Sequence, residues 1–455
     1  MDATILKTIG KKIGIDKSIA YSSGARIIQA FTGIGSIFFI SKFLTGIEQG
    51  FYYTFGSIVA IQVFFELGLT GIIVQYVAHE ASHLKIVGEN IEGDEKYKSR
   101  LSSLLHFCVK WYSVISILLF ITLLIAGFAF FNSYGSNHKN IEWRLPWILI
   151  CIGTIIKLFQ SPLNSYIEGL GFVKEMCKVS FWQQIILPLS AWIGLAFNFK
   201  LYVVGISSIL SALIWNVYVR HTFLWSLLKN IWHTVIVERI GYMKEIFPYQ
   251  WRIALSWISG YFIFQLFNPI LFATEGPKIA GQMGMTMQVI NAIQAFSMSW
   301  VSTKIPLFSK LISLKDYLTL DKKFVKSTTQ MICVCLALLL MMLFGLYIVH
   351  IIGIVLNGEL LADRFLGYFP TILMMIALMV NILVFALATY LRCHKKEPFL
   401  LESIVMGILS MLNTFIFGKM YGLYGICIGY CFLTVFLSLP WSCYLYVHYK
   451  QKWHE

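Results

Sequence analysis

At 58% hydrophobic and 13% charged residues over 455 positions, with a mean hydropathy of +0.73, the chain is excluded from the soluble class, where about one quarter of residues are charged. A net charge of +14 does not make it a nucleic-acid binder. Its Lys and Arg residues stand in short loops between long apolar runs, the placement that membrane topology requires. Most of the nine cysteines, Cys108, Cys151, Cys333, Cys427 and Cys431 among them, lie inside those runs, which is not a secreted disulfide framework.

Residues 1–18 alternate Lys7, Lys11, Lys12 and Lys17 with Ile5, Ile9 and Ile13, a pattern for an amphipathic segment on the membrane surface and not for a cleavable signal peptide. About twenty apolar residues cross the hydrocarbon core as helix. That length predicts about twelve spans, at 19–41, 51–77, 107–131, 145–169, 179–199, 201–228, 249–273, 281–303, 327–352, 368–391, 400–417 and 423–447. With both termini cytoplasmic, the inner loops collect Lys96, Arg100, Lys174, Arg239, Lys322, Lys323 and Lys396, while the outer loops hold Lys42, Lys139, Arg144, Lys200, Lys278, Arg364 and Lys419. The polar-leaning interval 229–248 divides the spans six and six, giving an N-terminal bundle at 1–228 and a C-terminal bundle at 249–455. The fold class is therefore all-α and polytopic. The largest inner loops, 78–106 and 304–326, are too short to bury a soluble core, so no enzyme site on an extramembrane domain is expected.

A charge at the bilayer centre is costly and marks a cavity or a partner. Arg26, Glu66, Lys157 and Arg252 qualify, and positive charge prevails. Arg26 and Arg252 open the first and seventh spans, and the glycine-rich turns Thr45–Gly50 and Thr274–Gly281 follow in corresponding places, a weak internal repeat of the transporter kind. Gln29 shares a face with Arg26, and Gln62 with Glu66; Gln265 and Asn268 lie on the seventh span, and Gln288, Asn291 and Gln294 line the eighth. The cationic set points to an anionic ligand carrying phosphate or pyrophosphate. The amides equally suit helix-to-helix hydrogen bonding, an Arg26–Glu66 pair suits a structural role, and Arg252 is close enough to the interface to snorkel. His79, Glu80 and His83 spell H-E-x-x-H, but no third ligand stands in another span, so no metal site is expected.

The run GFYYTFGSIVAIQVFFELGLTGIIVQYVAHEASHL, Gly50 to Leu84, resembles the first-to-second helix signature of Wzx-type bacterial polysaccharide (O-antigen) flippases, within the multidrug/oligosaccharidyl-lipid/polysaccharide exporter superfamily. The resemblance implies two six-helix bundles around a central cavity. It implies alternating access that moves an undecaprenyl-pyrophosphate-linked oligosaccharide across the bacterial inner membrane for surface polysaccharide biosynthesis. Arg26, Lys157 and Arg252 would then meet the substrate, Glu66 would pair with them or carry a coupling H+ or Na+, and Gln29, Gln62, Gln265, Gln288 and Asn291 would line the cavity. Further implied partners are membrane lipids, a polysaccharide polymerase and a chain-length regulator; no cofactor and no nucleic acid are expected. The alternatives are a multidrug exporter of the same superfamily and a polytopic glycan-modifying enzyme. The short outer loops and the absence of intramembrane His speak against the enzyme.

Overall fold

The computed structural model describes residues 32–454 apart from Ile34, Asn137, Lys139 and Lys395, with backbone alone for Met243, Lys244, Pro248, Tyr249 and Arg252. Nearly all of it is helix, and the helices are long because the apolar runs are long. In chain order they are α1 (35–43), α2 (Gly46–Val59), α3 (Val63–Glu66), α4 (Leu69–Ala81), α5 (Glu95–Tyr134), α6 (Arg144–Gly169), α7 (Val173–Ala196), α8 (Tyr202–Arg220) and α9 (Phe223–His233). They continue as α10 (Phe247–Phe264), α11 (Phe267–Thr274), α12 (Pro277–Ser302), α13 (Ile305–Ser313), α14 (Tyr317–Ile352), α15 (Tyr368–Arg392), α16 (Leu400–Phe432) and α17 (Leu439–His454). Two antiparallel hairpins interrupt them: β1 (Leu84–Val87) with β2 (Asn90–Gly93), and β3 (Val355–Leu356) with β4 (Glu359–Leu360).

Among the described residues eight helical stretches are long and apolar enough to cross a membrane, or nine when the broken run from Gly46 to Ala81 is one span. The shortfall from about twelve has physical causes. Most of the expected first span lies outside the described residues. The eighth, α12, is a full 26 residues long but carries Gln282, Gln288, Asn291 and Gln294 and so is too polar to count. The last two expected spans run as one 55-residue stretch, interrupted at Gly422 (φ 56°, ψ −135°). At about 1.5 Å per residue that stretch far exceeds a bilayer core of about 30 Å, so it serves as two spans. The expected span 201–228 ends early: α8 stops at Arg220 and α9 is a separate amphipathic helix.

The described chain divides into two compact units, one comprising Thr32 with Ile61–Trp257, the other Gly33–Ala60 with the residues from Ile258 onward. In the first, α6 packs against α4, α5 and α8, and α8 against α7. Its buried core includes Leu104, Cys108, Tyr112, Trp147 and Cys151. Two side chains bond across that core to backbone carbonyls: Trp147 Nε1 donates to Leu123 at 3.1 Å and Gln160 Nε2 to Ala212 at 3.0 Å. The lipid-facing side is apolar instead, with Ile125 67% exposed, the reverse of a soluble surface.

In the second unit α2 lies against α12 at backbone distance. A Cβ added to Gly50 would fall 1.9 Å from the Pro277 carbonyl oxygen, and one on Gly281 would fall 2.8 Å from the Gly50 nitrogen. Only glycine permits that approach, and Gly46 and Gly50 have the small-xxx-small spacing that does this in membranes. The two glycine-rich turns noted as a repeat thus become packed helix starts. Thr45 caps α2 in a capping box with Glu48, the Thr45 hydroxyl accepting from the Glu48 amide. Tyr53 OH donates to Gln288 Oε1 at 2.6 Å, Gln288 Nε2 donates to the Gly33 carbonyl, and Asn268 Nδ2 donates to Ser57 Oγ. These bonds attach residues 33–60 to the later half of the sequence.

Candidate functional site

The part of the expected span 51–77 that belongs to the first unit is not one helix. α3 stops where Leu67 (φ 50°) and Gly68 (φ 65°) are both left-handed, and α4 restarts at Leu69. A left-handed leucine costs about 1 kcal/mol or more, so the surroundings must hold it. At Gly68 a Cβ would lie 2.4 Å from Ile253 Cγ2 of α10, so another residue would strain the backbone and push Ile253 aside. Helices broken within the membrane free backbone groups at a depth where transporters bind ions and substrates.

Glu66 ends α3 beside this break. Its Oε1 accepts from Ser161 Oγ of α6 at 2.9 Å. Lys157, Ser161 and Asn164 follow at helical spacing (i, i+4, i+7) on one face of α6. Lys157 is half-buried in mid-helix, and among the described residues no carboxylate lies within ion-pair distance of it. The Asn164 Oδ1 is buried without a hydrogen bond. Pro162 in the same turn cannot donate to the helix, leaving a further carbonyl free. Glu66 thus meets, through Ser161, a helix that also carries a cation one turn before and an unspent amide oxygen one turn after, an arrangement suited to binding and releasing a charged or hydrogen-bonding group.

The other expected site residues fare differently. Arg26 and Gln29 lie outside the described residues, and Arg252 is described by its backbone in α10 alone. Gln62 stands one turn before Glu66 and is half-buried, in the same unit as Lys157. Gln265, Gln288 and Asn291 belong to the second unit. Gln288 is spent holding Tyr53 and Gly33 to α12, Gln265 is half-buried, and Asn291 is exposed. Ser161 and Asn164 were missed because one hydroxyl and one amide inside an apolar run carry no charge to flag them.

The H-E-x-x-H motif is spent on structure. Glu80, 2% exposed, accepts from Arg100 Nε at 3.0 Å, and His83 stacks on Tyr97 with centroids 4.1 Å apart. Arg100 also reaches Glu238 Oε1 at 3.1 Å and Glu245 Oε2 at 2.8 Å. The segment after α9 is further held by Ser99 Oγ, which accepts from the Val237 and Glu238 amides, and by Tyr76 OH, which donates to the Glu245 carbonyl at 2.5 Å. Burial pulls the Glu245 carboxyl up, but the Gly241 amide and the Arg100 guanidinium outweigh it and keep its pKa below the ordinary glutamate value. In the second unit Glu402, at the start of α16, is a buried carboxylate that sequence reading passed over beside a polar loop; it accepts from Ser438 Oγ at 2.5 Å and Ser442 Oγ at 3.1 Å. The one-turn spacing of those two serines was its available signal. Among the described residues no group of three His, Cys, Asp or Glu side chains is placed to hold a metal ion.

No protein-family model matches the sequence, and no curated protein matches it. Solved structures do match. A multidrug resistance MATE family transporter of the MOP superfamily, inward-facing, has a TM-score of 0.56 at 14% identity, covering 93% of this chain and 99% of that one. The lipid II flippase MurJ in an inward closed conformation has a TM-score of 0.60 at 14% identity over 95% of this chain and 87% of that one. The MATE multidrug transporter DinF-BH in complex with rhodamine 6G has a TM-score of 0.57 at 15% identity over 95% of each chain. At these identities the likeness establishes the fold: this chain has the all-α polytopic membrane fold shared by MATE and MurJ transporters.

Proposed function

We propose that the protein is a transporter of the multidrug/oligosaccharidyl-lipid/polysaccharide type, moving an amphipathic cargo across a bacterial inner membrane by alternating access, with both termini cytoplasmic by the positive-inside rule. The observation that carries this reading is Lys157. A cation with no acidic partner among the described residues, half-buried in a span one helical turn from the serine that binds Glu66, is costly without a role. The shared fold supports the alternating-access reading.

Two cargo classes are in play. Small organic molecules are favoured by the matches to multidrug transporters, one of them solved with rhodamine 6G. A lipid-linked oligosaccharide is favoured by the sign of Lys157, which suits a pyrophosphate, and by the match to a lipid II flippase; on that reading a polysaccharide polymerase and a chain-length regulator are the working partners, and Arg26 and Arg252 join Lys157 as cations for the substrate. Glu66 is the residue proposed to pair with the cargo's counter-charge or to carry H+ or Na+. Reconstituted proteoliposomes presented with rhodamine 6G in one arm and a fluorescent undecaprenyl-pyrophosphate oligosaccharide in the other separate the classes. Saturable movement of the dye alone establishes the multidrug reading, movement of the lipid alone the flippase reading, and movement of neither overturns the proposal.

A further inference from the structure

The first unit holds a cavity of about 490 Å³ that the transport reading does not use. Its walls come from α5 (Leu105, Val109), α6 (Phe159, Leu163), the end of α8 and the amphipathic helix α9. The interior is apolar, while two cations, Arg220 and Lys229, stand at its exposed edge. Among the described residues neither is within ion-pair distance of a carboxylate; Arg220 instead lies over the Trp225 ring, 5.9 Å from its centroid. Three tryptophans, Trp215, Trp225 and Trp232, line the same cavity, the residue type that sits at headgroup depth. Trp232 is fixed from behind by His106, stacked at 3.6 Å between centroids.

The charge at its edge distinguishes this cavity from a plain apolar groove: Arg220 and Lys229 stand over walls that include Trp215, 6% exposed. An occupant that fits offers an apolar tail to the walls and negative charge to Arg220 and Lys229. We infer that the cavity is a binding site for one anionic glycerophospholipid of the leaflet that faces the basic loops, its acyl chain between α5, α6 and α9 and its phosphate between Arg220 and Lys229. Basic pockets between membrane helices bind anionic headgroups on this side. The inference does not depend on which cargo is transported.

The test is thermal unfolding of the full-length protein in neutral detergent, titrated with phosphatidylglycerol, with phosphatidylcholine of the same acyl chains, or with inorganic phosphate. Phosphatidylglycerol is expected to raise Tm saturably, and the other two are not. The double variant Arg220→Gln, Lys229→Gln is expected to need about tenfold more phosphatidylglycerol for the same shift. Val109→Trp, which fills the cleft and keeps both cations, is expected to abolish the saturable shift and decides the matter if the double variant does not fold. Equal shifts from both lipids, a shift reproduced by phosphate alone, or a wild-type titration in either folded variant would overturn the inference.

Discussion

Two arginines, one in each unit, show what burial of the same side chain can be used for. Arg100 is partly buried and meets three carboxylates, Glu80, Glu238 and Glu245, all at 3.1 Å or closer, so that a helix end and the segment after α9 are fixed by one guanidinium. Arg364, beside the β3–β4 hairpin, is only 1% exposed. Its ion pair with Glu359 is longer, at 3.3 Å, and its Nε and Nη2 make no hydrogen bond. Gln49 is held by Arg364 largely through the Arg364 backbone carbonyl, to which Gln49 Nε2 donates at 3.1 Å, as it does to the Gly281 carbonyl at 2.8 Å. Burial lowers the Arg364 pKa, with Glu359 and Glu48 acting against it. The first arginine has Nε, Nη1 and Nη2 each paired with a carboxylate; the second fills space with its charge incompletely compensated. A buried cation therefore gains structural value from its partners' geometry and not from its depth.

That contrast can be broken by one substitution applied twice. Arg100→Met leaves the buried Glu80 carboxylate without its guanidinium partner and is expected to destabilise the protein by about 3–5 kcal/mol in mild-denaturant unfolding. Acid should act on the same cluster. Because the Glu245 pKa is depressed in the folded state, its contribution is complete above the unfolded-state value of about 4.3 and is lost as pH falls through the lower folded value. Hydrogen exchange at 237–241 is expected to accelerate below about pH 4 in wild type, and to be fast already at neutral pH in Arg100→Met. Arg364→Met keeps the volume and removes poorly paired donors, so its cost is expected to stay below about 2 kcal/mol. A loss as large as that of Arg100→Met would remove the distinction. Ser161→Ala, which deletes one neutral donor to Glu66, is expected to cost the least, about 1 kcal/mol.

The sequence made the class plain because hydropathy survives any rearrangement of helices: apolar runs at 107–131, 145–169 and 368–391 fall inside α5, α6 and α15. It hid the breaks. Leu67 and Gly68 lie in an apolar stretch whose period is undisturbed, and the stop is visible only as backbone dihedrals. The β3–β4 hairpin was legible and overlooked, since Asn357-Gly358 is the dipeptide that a two-residue turn with positive φ requires. Thr45-x-x-Glu48 likewise announced a helix start where a loop was read. Of the site, Glu66 and Lys157 stood out because charge is rare in lipid, but their relation could not be read, because it runs through Ser161, which looks like any other serine in a span. Arg100 was counted as an inner-loop charge, since sequence shows a residue's side of the membrane but not the carboxylates that fold back onto it.

Lys157 is proposed to work in transport, whereas Arg100 holds the fold. Tm and initial transport rate measured together on Lys157→Gln, with whichever cargo the wild type carries, test it most directly. An unchanged Tm and a transport rate reduced at least about tenfold are expected, the loss of one charge-assisted contact to the cargo. A wild-type rate together with a lowered Tm would make Lys157 one more structural cation and contradict it.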